Sequence, residues 1–137
     1  MSLNETDRSI IVALEIEKAE QTLAEKDILC QGKLWSNLAN RLYYSLFHAM
    51  TAMLVHDHHE VSTHRGVANR FHMYYVKTGI FTVEEGAFYS QMQSMREESD
   101  YNCTYNVTED EIVAKIEPTR QLIEKIKRYI AEKDETK

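Results

Sequence analysis

Residues that interrupt helices are scarce in this chain: four glycines and one proline among 137 residues. With so few breakers and no strand-like alternation, long helices are expected rather than short strands joined by tight turns. No run of about 18 uncharged apolar residues occurs, so no segment is expected to span a membrane. The start, MSLNETDRSI, lacks a basic stretch followed by an apolar one, so no secretory signal is expected. Cys30 and Cys103 are the two cysteines and form no CxxC pair. They read as free thiols in a reducing compartment, which gives a cytoplasmic expectation and leaves the sequons at Asn102 and Asn106 without consequence. There is no glycine-rich phosphate loop and no GxSxG.

What is present fits one globular domain over residues 1–137, with 1–7 and 132–137 expected to fray: 43% of residues are hydrophobic and 28% charged. The net charge of −6 argues against a constitutive non-specific nucleic-acid binder. The charge is unevenly spread, however. Residues 1–32 carry seven acids and three bases, and 84–137 carry thirteen acids and eight bases. Residues 33–83 carry two acids, five bases and all six histidines, so the middle of the chain is its positive part.

Apolar periodicity divides the chain into helices. Val12, Ile16, Ala19 and Leu23 define an amphipathic helix that Gly32 should stop. From Leu34 to Val55 the apolar stripe is so wide that this second helix belongs either at the centre of a bundle or in an interface. The polar stretch HDHHEVST reads as a loop, after which Ser62 or Thr63 can cap a third helix running to Lys77 and stopped by Gly79. Thr82–Glu85 and Thr108–Glu111 are capping-box patterns that open a fourth helix to Asp100 and a last one, which Pro118 should kink or split. The fold expected is all-α, an up-and-down antiparallel bundle of four to five helices.

Three polar groups could carry chemistry. Arg41, Tyr44, Ser45 and His48 fall at i, i+3, i+4 and i+7 on the otherwise apolar second helix, stacking them on one face. A guanidinium suits phosphate or carboxylate, and an imidazole can move a proton near neutrality. At the end of the fourth helix, Arg96 and Asp100 are i,i+4 partners with Tyr101 beside them. Both groups can also be read as exposed structural ion pairs. The third group is His56, His58, His59, His64 and His72 with Asp57 and Glu60. Imidazole and carboxylate are metal ligands, but His56–His59 lack the helical spacing of bundle metal sites, so no metal is expected there.

The run Asn40-Arg41-Leu42-Tyr43-Tyr44-Ser45-Leu46-Phe47-His48-Ala49-Met50, the segment Ser62-Thr63-His64-Arg65-Gly66-Val67, Phe71, the Val76–Gly79 step and Arg96-x-x-Ser99-Asp100-Tyr101 together resemble the HEPN domain (higher eukaryotes and prokaryotes nucleotide-binding), in its branch of small stand-alone prokaryotic proteins. The resemblance implies a five-helix bundle that forms homodimers, needs no cofactor or metal, and acts in many members as an endoribonuclease toxin beside a minimal nucleotidyltransferase. Other members bind RNA or nucleotides, or a partner, without cleaving. The family's active signature is Arg, four to six residues, then His. In this sequence Tyr101 follows Arg96 at that spacing, whereas Arg41 and His48 satisfy it one motif earlier. Arg41, His48, Arg96, Asp100 and Tyr101 are therefore the residues expected to share a phosphate-binding, and by the resemblance catalytic, cleft.

Overall fold

The computed structural model describes residues 3–59 and 61–135. Among them, seven α-helices and one π-turn are formed, and no strand. Helix α1 spans Glu5–Ala24, α2 Lys26–Gln31, α3 Trp35–His56, α4 His64–Phe71, α5 Val83–Tyr101, α6 Glu109–Val113 and α7 Ile116–Glu135. A π-turn, His72–Val76, continues α4 directly.

Helix α3 is the axis of the bundle. Leu38, Leu42, Leu46, Met50, Met53 and Leu54, with Ala39, Tyr43, Ala49 and Ala52 beside them, form a face wider than half the helix, and all are fully buried. A helix with so wide an apolar face belongs inside a bundle. The chain covers it with α1 and α2 on one side, α5 and α7 on others, and α4 across its flank. The contacts from Arg8 to the Val55 carbonyl, Glu15 to His48 and Glu25 to Arg41 step forward along the first helices and backward along α3, so the two run antiparallel. Asn40–Asp100 and Arg96–Tyr44 place α5 antiparallel to α3, and Glu85–Lys125, with Glu98 and Lys115 lining one groove at the other end, places α7 antiparallel to α5. The long helices thus alternate up and down.

The helix ends follow local chemistry. Asn4, Thr63, Thr82 and Thr108 each accept a backbone N–H with the side chain, and Thr82 with Glu85 closes a full reciprocal capping box. Residues 5–7 and 132–135, expected to fray, lie within α1 and α7; residues 1–2 and 136–137 lie outside the described residues. Pro118 is the third residue of α7, where a missing N–H leaves no hydrogen bond unmade. The break falls earlier, at Ala114–Lys115.

One sequence expectation needs correction. The first helix does not run unbroken to Gly32 but tightens at Glu25, and no breaker residue marks that point. Gly32 keeps right-handed geometry at φ −83°, and the left-handed position that ends α2 falls to Lys33, φ 55°. The Leu34 N–H then reaches back to the Leu29 carbonyl at 2.9 Å, closing a Schellman-type end. Gly79, at φ 85°, does end the α4 segment, with the Phe81 N–H on the Tyr75 carbonyl at 2.9 Å.

These positions predict opposite substitution effects. Left-handed geometry costs an L-residue about 1–2 kcal/mol, partly offset by the greater freedom of glycine in the unfolded chain. Lys33→Gly should raise, and Gly79→Ala lower, the free energy of unfolding in urea by up to about 1 kcal/mol each.

Candidate functional site

The polar residues of α3 that escape the core line one flank, facing the start of α4 and the second half of α5. Arg41 and Arg96 both pack on the ring of Tyr44, with guanidinium-to-centroid distances of 5.7 and 5.6 Å. Arg96 also lies 5.1 Å over Tyr43. It is 5% exposed, and its one carboxylate partner, Asp100, is 3.5 Å away through Nη1. Its Nε is buried without a hydrogen-bond partner. Burial opposes the charge, but the Tyr44 and Tyr43 rings and Asp100 outweigh it and hold the guanidinium pKa above its ordinary value. This cation stays charged while only loosely paired.

Arg41 is anchored in the same loose manner. Its Nε is 3.5 Å from Glu25 at the break after α1, outside hydrogen-bonding geometry, and its Nη1 donates to Asn40 at 3.2 Å. Asn40 in turn donates to Asp100 at 3.4 Å. Between Glu25, Arg41 and Asp100 opens a cleft of about 330 Å³, also lined by Asn37, Asn40 and Ser99. The hydroxyl of Ser99 is buried there without a partner. Two turns further along α3, His48 holds the Glu15 carboxylate through Nδ1 at 2.8 Å.

Of the residues expected to converge, Arg41, His48, Arg96 and Asp100 lie along this flank. Tyr101 does not join them. It is 79% exposed and makes no hydrogen bond or ring contact with a described residue. The reason is angular: five residues beyond Arg96 lie about 140° round an α-helix, whereas Asp100 lies about 40° away. Ser45 also leaves the expected stripe, because it is fully buried and donates to the Leu42 carbonyl at 2.7 Å. One residue of the flank came from elsewhere in the sequence. His64, first residue of α4, meets Tyr43 through Nδ1 at 2.8 Å and packs on Phe47 at 4.4 Å. Its place immediately after a capping threonine was the available signal.

The remaining histidines are engaged one by one. His56 reaches Asp57 and Asp134 at 2.8 Å each, His59 stacks on Tyr74 at 4.1 Å, and His72 meets Ser90 at 2.9 Å. No group of three or more potential metal ligands forms among the described residues, and Glu60 lies outside them. Asp57 is a structural node, accepting hydroxyls from Tyr129 at 2.6 Å and Tyr75 at 2.7 Å, which ties the end of α3 to the π-turn and α7.

This is an all-helical bundle whose central helix carries an arginine–tyrosine–histidine flank completed by α4 and α5. The family profile of the HEPN domain matches residues 12–129, and the chain belongs to that family. It is 32% identical to Putative toxin MJ0605 of Methanocaldococcus jannaschii over 130 residues, 95% of this chain and 96% of the relative. A UPF0332 protein of Thermotoga maritima is 27% identical over 128 residues, covering 93% and 96%. No described helix is long and apolar enough to cross a membrane.

The Asp57 node predicts an acid-dependent stability term. Burial raises the Asp57 pKa, but the hydroxyls of Tyr129 and Tyr75 and the His56 ring outweigh it and leave the group below its ordinary value. A carboxyl with a depressed folded pKa contributes fully above its unfolded pKa, about 3.9, and loses that contribution as pH falls through the folded value. Asp57→Asn should cost about 2–3 kcal/mol at pH 7. In urea titrations, the gap between wild type and variant should close as pH drops below about 4.

Proposed function

We propose that this protein is a toxin-type HEPN ribonuclease. It binds the phosphate backbone of RNA at the Arg41–Arg96 flank and cleaves without a metal, working beside a nucleotidyltransferase partner. The observation that carries the reading is Arg41 lining an open cleft, backed by the under-paired, buried guanidinium of Arg96, which shares Tyr44 with it but does not itself line the cleft. A phosphate supplies the charge and acceptors that neither Asp100 nor Glu25 provides at close range. The toxin name borne by the relative from Methanocaldococcus jannaschii supports the same reading. In this mechanism Arg96 stabilises the charge that builds on the phosphate, Arg41 positions the strand, and His48 transfers a proton. Asp100 orients the two donors facing it, Asn40 and Arg96.

A second reading, a non-catalytic RNA-, nucleotide- or partner-binding module on the same flank, is favoured by the outward position of Tyr101 where the family signature has histidine. The two readings separate on cleavage. Arg96→Ala should weaken binding of a short single-stranded RNA about 10- to 100-fold, the loss of one or two charge-assisted hydrogen bonds, with helical circular dichroism unchanged. His48→Ala should slow cleavage, and Tyr101→Phe should change neither. RNA affinity unaltered in Arg96→Ala would reduce the Arg96–Asp100 pair to a structural one.

The homodimer belongs to the same proposal, on grounds different from those the sequence offered. The apolar stripe of α3 is satisfied inside one chain. The surface available to a second copy is instead the outer face of α1 and α2, where Ile10 is 53%, Leu14 59% and Ile28 69% exposed. Light scattering at micromolar concentration should give twice 16.0 kDa, and a stable monomer would reject the dimer.

A further inference from the structure

With Tyr101 turned away, the buried arginine of α5 lacks the imidazole that would follow it in sequence. A different element brings one to it. His64 stands at the first position of α4, and its ring lies 5.7 Å from Tyr43 and 5.6 Å from Tyr44. These are the two rings over which the Arg96 guanidinium rests. Phe47 covers one side of the imidazole at 4.4 Å, and Tyr43 holds Nδ1 at 2.8 Å. Nε2 makes no hydrogen bond with a described residue, and the side chain is only half-buried. A fixed ring with one committed nitrogen and one open nitrogen, beside a charged arginine, is the arrangement a proton-transfer residue needs.

We propose that His64 is the general base of the RNA-cleaving site, a role that rests on the ribonuclease reading above. The role requires the tautomer in which Nδ1–H donates to the Tyr43 oxygen and Nε2 carries the lone pair. Nε2 takes the proton of the ribose 2′-hydroxyl as the 2′-oxygen bonds to the adjacent phosphorus. The bond from phosphorus to the 5′-oxygen breaks, and that oxygen takes a proton from the ring of His48, the proton-transfer residue of the reading above. His48 regains a proton from solvent as His64 releases its own, so the products are a 2′,3′-cyclic phosphate and a 5′-hydroxyl end, with no net consumption of water.

The surroundings favour the neutral ring. Burial is the largest influence and lowers the His64 pKa, as do the charges of Arg96 on α5 and His48 on α3. Glu97 on α5 works in the opposite direction without reversing the outcome. Tyr43 remains a phenol, its pKa pushed up to about 12 chiefly by burial, so it serves as a steady hydrogen-bond partner. His48 is arranged differently, its Nδ1 facing the Glu15 carboxylate.

The test compares wild type, His64→Gln and His64→Ala for single-turnover cleavage of a short single-stranded RNA between pH 5 and 8. Affinity is measured separately with the uncleavable 2′-deoxy strand. Both variants should cleave about 100-fold or more slowly, with affinity for the deoxy strand kept within about threefold. The acid limb of the wild-type rate profile should disappear, and added imidazole should restore part of the rate in His64→Ala. In the free protein, the His64 ring signal should titrate below the ordinary histidine value and move upward in Arg96→Ala. Wild-type cleavage matched in rate and pH profile by His64→Gln would overturn the role of His64 alone. A wild-type protein that binds RNA and cleaves none would overturn the ribonuclease reading and this role together.

Discussion

Everything in this molecule is arranged around a helix that cannot be left in water. Trp35–His56 buries residues over more than half of its circumference, so the remaining helices are positioned by the need to cover it. Burying a Leu or Met side chain contributes about 1.5–3 kcal/mol, and α3 has six such side chains fully out of solvent. Covering helices must run along it, which fixes the antiparallel order of α1, α3, α5 and α7. The one flank left partly open holds what cannot be buried cheaply: a guanidinium, an amide and an imidazole. The candidate flank is thus the complement of the core, set by which α3 positions are polar.

That logic explains how much could be read without coordinates. The helices, their threonine caps, the Gly79 stop and the central place of α3 are local signals, and each was legible from periodicity and cap chemistry. The break at Glu25 was not, because nothing in Thr22–Lys26 forbids a continuous helix. It matters nonetheless, since it sets the Glu25 carboxylate beside Arg41. Helix α2 does stop at Gly32, its C-cap, while the left-handed residue that closes the end is Lys33. The π-turn at His72–Val76 also has no sequence signature; Gly86 on α5 packs against it, where a Cβ would come within 3.0 Å of the His72 and Val76 side chains.

The site was legible only in part, for a related reason. Spacing along one helix finds residues that share its face, which is how Arg41 with His48, and Arg96 with Asp100, could be grouped. It also exposes its own error at Tyr101, whose five-residue separation from Arg96 already implied a different face. His64 needed tertiary contact, because no rule of spacing relates the first turn of α4 to Tyr43 and Arg96. The charge map changes meaning in the same way. The middle third of the sequence is positive, yet its cations and imidazoles meet acids from the other two thirds: Glu15 and Glu25 from the first, Asp134 from the last. A net charge of −6 therefore says little about the potential at this flank.

What separates a binding arginine from a structural one here is how completely its charge is already answered. Arg120 is fully engaged: its Nε contacts both Glu117 carboxylate oxygens at 3.1 and 3.0 Å, and Nη2 adds a third contact. It is an exposed bidentate pair within one helix, its charge already answered at close range. Arg41 and Arg96 share Tyr44 and have more polar neighbours, but each meets its carboxylate at 3.5 Å, beyond the 2.7–2.9 Å of a strong charge-assisted bond. Asp100 further divides its Oδ2 between Arg96 and Asn40. An arriving phosphate would have to break no tight pair of Arg41 or Arg96, and its charge would relieve the mutual repulsion of the two guanidiniums. Loose pairing costs some native stability, and it is the condition under which a cleft can hold its charge ready for an anion.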